Sequence, residues 1–157
     1  MASLSGHTGF VRSLAFSSDE VFLVSGIEDK TINLWDIQTG GVVRTFIGHT
    51  GWVYPVSISL DHTTIASTSG DTTICLWNTQ TGECQCVING HGHRFISVGF
   101  SPQNSSLLIS ASYDNTIWQW NVGGHQIGGT YEGGHATFSS DGTSFILWRW
   151  GGTIAII

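Results

Sequence analysis

A repeat of about 42 residues constrains the fold of this chain more than any other sequence feature. Three Gly-His segments, "GHTGFV", "GHTGWV" and "GHGHRF", begin 42 residues apart, at Gly6, Gly48 and Gly90. Later in the same units, "TINLWD", "TICLWN" and "TIWQWN" recur from residues 31, 73 and 116. Repetition at this period predicts similar supersecondary units that pack side by side, because one such unit cannot bury its own apolar face.

Each unit is predicted to form four short strands. In the first unit, "VRSLAFS" alternates between polar and apolar residues, "VFLVSG" is apolar, and "TINLWDI" and "VVRTFIG" follow polar turns. Alternation with a period of two, bounded by turn residues, is typical of antiparallel strands. The 157-residue chain has 21 Gly and 2 Pro. We therefore predict an all-β fold, built from four-stranded antiparallel units within one domain that spans residues 1–157.

The position of Gly-His near the start of the unit and Trp-Asp near its end resembles a WD-repeat β-propeller blade. The segments "GHTG.V", "AFS.D" and "TI.LWD..TG" are most similar in style to the WD repeats of fungal NACHT-type signalling ATPases. The resemblance covers residues 6–122 strongly, whereas residues 133–157 lack the aspartate and the Trp at the strand end. It implies three regular blades and one degenerate blade per chain. Their approximate boundaries are 7–48, 49–90, 91–134 and 135–157.

One His, one Ser, one Asp and one Trp recur in each regular unit. Ser, His and Asp also form the triad of acyl-transfer enzymes, but three equivalent copies indicate a structural role. A buried Trp N–H needs an acceptor, and a Ser hydroxyl can accept from it and donate to His, whose other nitrogen can donate to Asp. The family resemblance implies the same network. The predicted structural tetrads are His7, Ser25, Asp29 and Trp35; His49, Ser67, Asp71 and Trp77; and His91, Ser110, Asp114 and Trp120.

The same resemblance implies that three positions in each unit face the rim around the central channel. These are the third and fifth residues after the Gly-His histidine and the residue before the tetrad aspartate. Exposed aromatic residues and arginines are typical of binding hot spots. The alternative is that an aromatic such as Trp52 packs against the next unit. The predicted partner-binding residues are Phe10, Arg12, Glu28, Trp52, Tyr54, Arg94 and Tyr113.

Composition and charge restrict the chemistry and the partners. Five Lys and Arg residues stand against 11 Asp and Glu, and the net charge of −6 argues against nucleic acid and anionic membranes as partners. Three cysteines and no secretion-signal pattern indicate a cytoplasmic protein with reduced thiols. The His and Cys spacings fit no standard metal site, and no glycine pair resembles a phosphate loop. We therefore expect no metal, no cofactor and no enzymatic activity.

The number of units raises the question of how a ring would close. WD-repeat propellers usually have more than four blades, and an open arc would expose edge strands and apolar faces. Leu4 precedes His7 by three residues, as Phe46 precedes His49, so residues 2–5 resemble a short outermost strand. Two hypotheses remain open. Two chains form an eight-bladed ring as a homodimer that exchanges this strand, or the chain is a fragment of a longer propeller.

The predicted function is non-catalytic. The leading hypothesis is a scaffold or ligand-sensing module that binds a protein or peptide on the rim, and the fungal resemblance implies a sensor. The alternative is a lectin-like propeller that binds a glycan or small molecule, with Trp52, Tyr54 and Tyr113 stacked on sugars. An enzyme is the weakest hypothesis, because no two of the 11 acidic residues form a recognisable catalytic pair.

Overall fold

The chain forms four antiparallel sheets, seen in a computed structural model that describes residues 4–149 and 151–157. The first sheet contains β1 (Val11–Phe16), β2 (Phe22–Ile27), β3 (Thr31–Asp36) and β4 (Val42–Ile47). The second contains β5 (Val53–Ile58), β6 (Thr64–Ser69), β7 (Thr73–Asn78) and β8 (Cys84–Asn89). The third contains β9 (Phe95–Phe100), β10 (Leu107–Ser112), β11 (Thr116–Asn121) and β12 (Gln126–Glu132). The fourth contains β13 (His135–Phe138), β14 (Phe145–Arg149) and β15 (Thr153–Ile156).

Strands that follow each other along the chain also lie beside each other in each sheet. The register repeats as well, since Ser25 pairs with Asn33 in the first sheet and Ser67 pairs with Cys75 in the second. The all-β prediction is confirmed, because the described residues contain strands and turns but no helix. It follows that no helix in this part of the chain is long and apolar enough to cross a membrane.

A serine-aspartate turn joins the first two strands of three of the sheets. In the first sheet the Ser17 hydroxyl donates to the Asp19 carboxylate over 2.6 Å, and the Phe22 N–H donates to Ser17 Oγ over 2.9 Å. The same serine-to-aspartate bond, also 2.6 Å, joins Ser139 to Asp141 in the fourth sheet. The degenerate unit therefore keeps the turn of the first two units, although its sequence lacks the tetrad Asp and Trp.

Adjacent sheets pack face to face, and the hydrophobic core lies between them. Val24 and Leu34 of the first sheet lie in one buried cluster with Trp77 of the second. A second cluster joins the second and third sheets, and a third cluster joins the third and fourth. Serine side chains add bonds across these interfaces, since the Val56 N–H donates to Ser13 Oγ and the Phe100 N–H donates to Ser57 Oγ, each over 3.1 Å. Burial of apolar surface between sheets is therefore the main source of stability.

The described parts of the first and fourth sheets make no extensive contact with each other. Among the described residues, no buried cluster joins them, so the four sheets form an open arc. Equivalent residues of the first and second sheets therefore differ greatly in solvent exposure. Val11, Leu14 and Phe16 of the first sheet are 48%, 59% and 65% exposed, whereas their counterparts in the second sheet, Val53, Val56 and Ile58, are at most 9% exposed.

The predicted outermost strand at residues 2–5 is only partly covered by the structure. Residues 2 and 3 lie outside the described residues, and Leu4 and Ser5 belong to no strand in the single chain. Leu4 lines the same surface recess as Trp35. No further strand lies beside β15 among the described residues. The exchange of this segment between chains therefore stays a prediction.

Candidate protein-binding rim and its supporting network

A chain of side-chain hydrogen bonds crosses the second sheet. The Trp77 indole N–H donates to Ser67 Oγ over 2.7 Å, and the Ser67 hydroxyl lies 2.8 Å from His49 Nε2. His49 Nδ1 lies 2.9 Å from the Asp71 carboxylate, which also accepts the Thr50 N–H. Because a carboxylate only accepts, Nδ1 carries the proton and Nε2 accepts from serine. The network fixes the segment before β5 to the turn between β6 and β7.

The same contacts occur in the third sheet and, less completely, in the first. In the third sheet the His91 Nδ1 to Asp114 distance is 2.9 Å, and in the first sheet the His7 Nδ1 to Asp29 distance is 3.7 Å, too long for a hydrogen bond. The His7 side chain is 10% exposed, whereas that of His91 is fully covered. The first network is therefore looser, and it lies on the face that no other sheet covers.

Two further positions in each unit support these networks, and neither was predicted from the sequence. The first is the threonine two residues after each aspartate, whose hydroxyl donates to the carboxylate over 2.6 to 2.7 Å: Thr31, Thr73 and Thr116. The second lies two residues before each tetrad Trp, beside the histidine ring: Asn33, Cys75 and Trp118. The threonine recurs in every regular unit, so periodicity alone could have identified it. The other position varies, and only the contacts reveal it.

Burial and hydrogen bonding have opposite effects on the pKa values of the network carboxylates. Partial burial raises the pKa of Asp71, but hydrogen bonds from Thr73, His49 and the Thr50 N–H outweigh it and lower the pKa to about 2. Burial also lowers the pKa of His91, against the attraction of Asp114, so a neutral imidazole is favoured. A neutral histidine between an ionised aspartate and a serine hydroxyl matches the donors and acceptors described above.

We expect acid to weaken the fold through Asp71. Its pKa is lower in the folded chain, about 2, than the ordinary value of 3.8 expected after unfolding. The stabilisation is therefore complete above pH 4 and is lost as the pH falls toward 2. Urea unfolding at pH 7 and pH 3 should show a smaller acid-induced loss of stability in Asp71→Asn than in the original chain. Equal losses in both proteins would contradict this assignment.

A backbone hydrogen bond holds the predicted rim positions side by side. The residue before each tetrad aspartate donates its N–H to the carbonyl of the third residue after the Gly-His histidine. The three donor and acceptor pairs are Glu28 and Phe10 at 3.2 Å, Gly70 and Trp52 at 2.9 Å, and Tyr113 and Arg94 at 3.0 Å. The equivalent positions of all three regular units thus lie at the same end of their sheets.

The rim residues of the first and second sheets form one group. Arg12 forms an ion pair with Glu28, and its guanidinium lies over the Trp52 ring, 5.9 Å from the ring centroid. Trp52 stays half-exposed and lines a shallow recess together with Tyr54 and Lys30. Trp52 is therefore not buried, but its ring contacts Arg12 of the neighbouring sheet, so partner binding by Trp52 stays a prediction beside the alternative that it packs against an adjacent unit. The Phe10 side chain at the same end is largely exposed.

A second group lies on the third sheet. The Arg94 guanidinium lies over the Tyr113 ring, 4.6 Å from its centroid, and the His93 ring is 6.0 Å from the same ring. Arg94 and Tyr113 are both exposed. Stacking of arginine on an aromatic ring is favourable and holds both side chains in a defined conformation. Across residues 4–149 and 151–157, no group of three or more His, Cys, Asp or Glu could hold a metal ion.

Comparison with known proteins agrees with this repeated geometry. The sequence profile of the family described as "WD domain, G-beta repeat" matches residues 1–36, 40–78 and 82–121. The chain belongs to the WD-repeat family. Those three segments contain β1 to β11 and every residue of the three tetrads, whereas β12 and the fourth sheet lie outside the match. The WD-repeat part of the sequence prediction is therefore confirmed.

Three curated proteins resemble most or part of this chain. The chain is 49% identical over 149 residues to the small ribosomal subunit protein RACK1 of Caenorhabditis elegans, which covers 90% of this chain and 46% of that protein. It is 45% identical over 148 residues to the Drosophila melanogaster protein of the same name, covering 89% and 46%. A ribosome biogenesis protein BOP1 homolog of Drosophila erecta is 48% identical over 40 residues, covering 26% of this chain and 5% of that protein.

The length of the RACK1 matches limits which properties of those proteins can be assigned to this chain. The chain spans about half the length of these two curated relatives. The comparisons give no support to the closer resemblance to fungal NACHT-type ATPases. The sequence prediction is thus supported for the family and not for that subgroup.

Proposed function

We propose that this WD-repeat protein is a non-catalytic scaffold that binds a protein or peptide at the rim. The observation that carries the proposal is the exposed contact of Arg12 with Glu28 and Trp52, with Arg94 and Tyr113 arranged in the same way on the third sheet. Side chains already held in one conformation lose little entropy on binding. Arginine and large aromatic residues are also the types that contribute most at interfaces.

The buried serines argue against catalysis. Ser67 and Ser110 are fully buried, and each accepts an indole N–H and contacts a histidine. A nucleophile must reach its substrate and lie near an oxyanion hole, and hydroxyls enclosed within a sheet cannot do so. We therefore assign the tetrads a structural role, with no cofactor.

Charge distinguishes the two ends of the sheets. The rim end carries four of the five basic residues: Arg12, Lys30, Arg94 and Arg149. The opposite end carries six of the 11 acidic residues in its turns: Asp19, Glu20, Asp36, Asp61, Glu83 and Asp141. The other five acidic residues, Glu28, Asp29, Asp71, Asp114 and Glu132, lie at the rim end, which is therefore the less negative end and the less repulsive one for a partner with exposed carboxylates.

The relatives suggest where to look for the partner. The two RACK1 relatives are named as small ribosomal subunit proteins. By similarity we propose that a protein of the small ribosomal subunit is the partner of this chain and that the chain is cytoplasmic.

We also propose that two chains associate into an eight-bladed ring, each N-terminal segment completing the partner's fourth sheet. A glycan is the second candidate ligand, because the Trp52 and Tyr54 rings line an open recess.

Binding at the rim should fall at least about tenfold in Trp52→Ala and in Arg12→Ala, because each change removes one member of the stacked pair. The measurement is the affinity for purified small ribosomal subunits, with a glycan array in parallel. Ile47→Ala is the control, since Ile47 is as exposed as Phe10 but lies on outer strand β4.

Three outcomes separate the hypotheses. Selective loss in the two rim variants supports the rim as the protein-binding surface. Unchanged subunit binding in both variants rejects it. Binding to glycans without binding to subunits favours the second candidate.

A further inference from the structure

The first sheet exposes an apolar face that the other sheets bury. A recess of about 240 Å³ lies on this face, lined by Leu4, His7, Val11, Leu14, Leu23, Ser25 and Trp35. Their repeat equivalents include Phe46 on β4 of the first sheet and Val53, Val56, Ile65 and Trp77 of the second sheet, and all five are buried. The recess therefore has the shape and chemistry of an interface between sheets, and none of the described sheets covers it.

The structure shows what covers this face elsewhere in the arc. Val24, Ile32 and Leu34 of the first sheet pack on the second sheet, in one cluster with Val53 and Trp77. Ala66, Ile74 and Leu76 of the second sheet pack on the third in the same way. In each case the occupant is the opposite face of a neighbouring sheet, presented by its second and third strands.

The fourth sheet carries the same kind of face, and it is exposed. Val24 pairs with Leu34 across β2 and β3, and Ile146 pairs with Ile156 across β14 and β15 in the corresponding register. By this register Ile146, Ile154 and Ile156 correspond to Val24, Ile32 and Leu34. All three isoleucines are exposed, Ile154 and Ile156 to about the same extent as Phe16. The described chain therefore has a vacant recess at one end and matching side chains at the other.

We propose that the fourth sheet of a second copy docks on the first sheet, with Ile146, Ile154 and Ile156 of that copy over the recess beside Leu14 and Trp35. This inference rests on the proposed two-chain ring and specifies its contact surface. With two-fold symmetry the contact forms twice, which covers both exposed faces of both chains. A symmetrical contact of first sheet on first sheet would leave the fourth-sheet isoleucines exposed.

Docking also accounts for the looser first network. His7 and Ser25 line the recess, and the His7 to Asp29 distance is longer than the same distance in the two covered networks. A covering sheet would place His7 in the surroundings that His49 already has. We therefore expect the His7 ring signals in an NMR spectrum to change with chain concentration, and those of His49 to stay constant.

The test uses the 157-residue chain and measures its mass in solution by light scattering and sedimentation over a range of concentrations. The variants are Leu14→Asp and Ile154→Asp, one on each face. Ile47→Asp is the matched control, because Ile47 is comparably exposed and lies on outer strand β4, where the equivalent Asn89 of the second sheet stays exposed although a neighbouring sheet packs on that sheet. All three side chains are exposed in the single chain, so folding should be retained, and a circular dichroism spectrum checks this.

The original chain and the Ile47→Asp variant are expected to form dimers. Each face variant should raise the dissociation constant at least about 100-fold, because a carboxylate would be buried without a partner. A mixture of the two face variants should associate again. It retains one intact contact, between the fourth sheet of Leu14→Asp and the first sheet of Ile154→Asp.

The outcomes also distinguish this inference from the function on which it rests. A dimer that is unaffected by Ile154→Asp overturns the proposed surface and leaves the two-chain ring in place. A monomer at all concentrations overturns both the surface and the ring. Rim binding is measured independently through Trp52 and Arg12, so its result does not depend on either.

Discussion

Replacing Trp77 by alanine is expected to lower the free energy of unfolding by about 3–5 kcal/mol. Trp77 is 1% exposed. Its ring contacts Phe46 and His49, with centroids 5.9 Å and 5.8 Å apart. Its N–H donates to Ser67. The substitution would leave a cavity between the first and second sheets and would remove the donor at one end of the network.

Two further variants separate these contributions. Trp77→Phe retains much of the buried ring and loses the N–H, so we expect a smaller loss of about 1–2 kcal/mol. Trp52→Ala should change stability by less than about 0.5 kcal/mol, because that ring is 49% exposed. Urea unfolding at one fixed chain concentration provides the measurement, since association would otherwise alter the apparent stability. Equal losses in Trp77→Ala and Trp52→Ala would show that Trp77 is not part of the core.

Replacing Asp71 by alanine is expected to cost about 2–3 kcal/mol of unfolding free energy. The carboxylate accepts hydrogen bonds from the Thr73 hydroxyl, the Thr73 and Thr50 N–H groups and His49 Nδ1. The His49 side chain is fully covered, so its N–H would remain buried without an acceptor. The segment before β5 would also lose its connection to the turn between β6 and β7.

Asp29 offers a matched control within the same protein. It makes the equivalent bonds to Thr31, but it lies 3.7 Å from His7, which is not fully covered. We therefore expect Asp29→Ala to cost about 1 kcal/mol less than Asp71→Ala. Thermal and urea unfolding of both variants provide the comparison. If Asp29→Ala were the more damaging change, the histidine contact could not be the main contribution of Asp71.

Much of the local structure was accessible from the sequence because each unit repeats the same short-range relations. The alternation in "VRSLAFS" depends on neighbouring residues, and it predicts a strand whichever sheet is packed on it. The recurrence of His49, Ser67, Asp71 and Trp77 at fixed offsets similarly identified side chains that lie within hydrogen-bonding distance. Donor and acceptor chemistry then allowed few other arrangements.

The candidate rim was only partly predictable. Equivalent positions in the repeats indicated that Arg12 and Trp52 lie at the same end of their sheets. The contact between them joins two different units, and its existence depends on the distance between sheets. The position of Asn33 beside His7 was also missed, because Cys75 and Trp118 occupy the same position in the other units and obscure the pattern.

The sequence by itself determined the repeated strands, the WD-repeat family and the residues that occupy equivalent positions. Only the tertiary structure decided which of those equivalent residues are buried. Leu14 and Val56 occupy the same position in the same kind of strand, yet one is 59% exposed and the other 5%. The physical reason is that burial of a sheet face depends on a second sheet lying against it. A neighbour of that kind is a property of the assembled arc and of no single repeat.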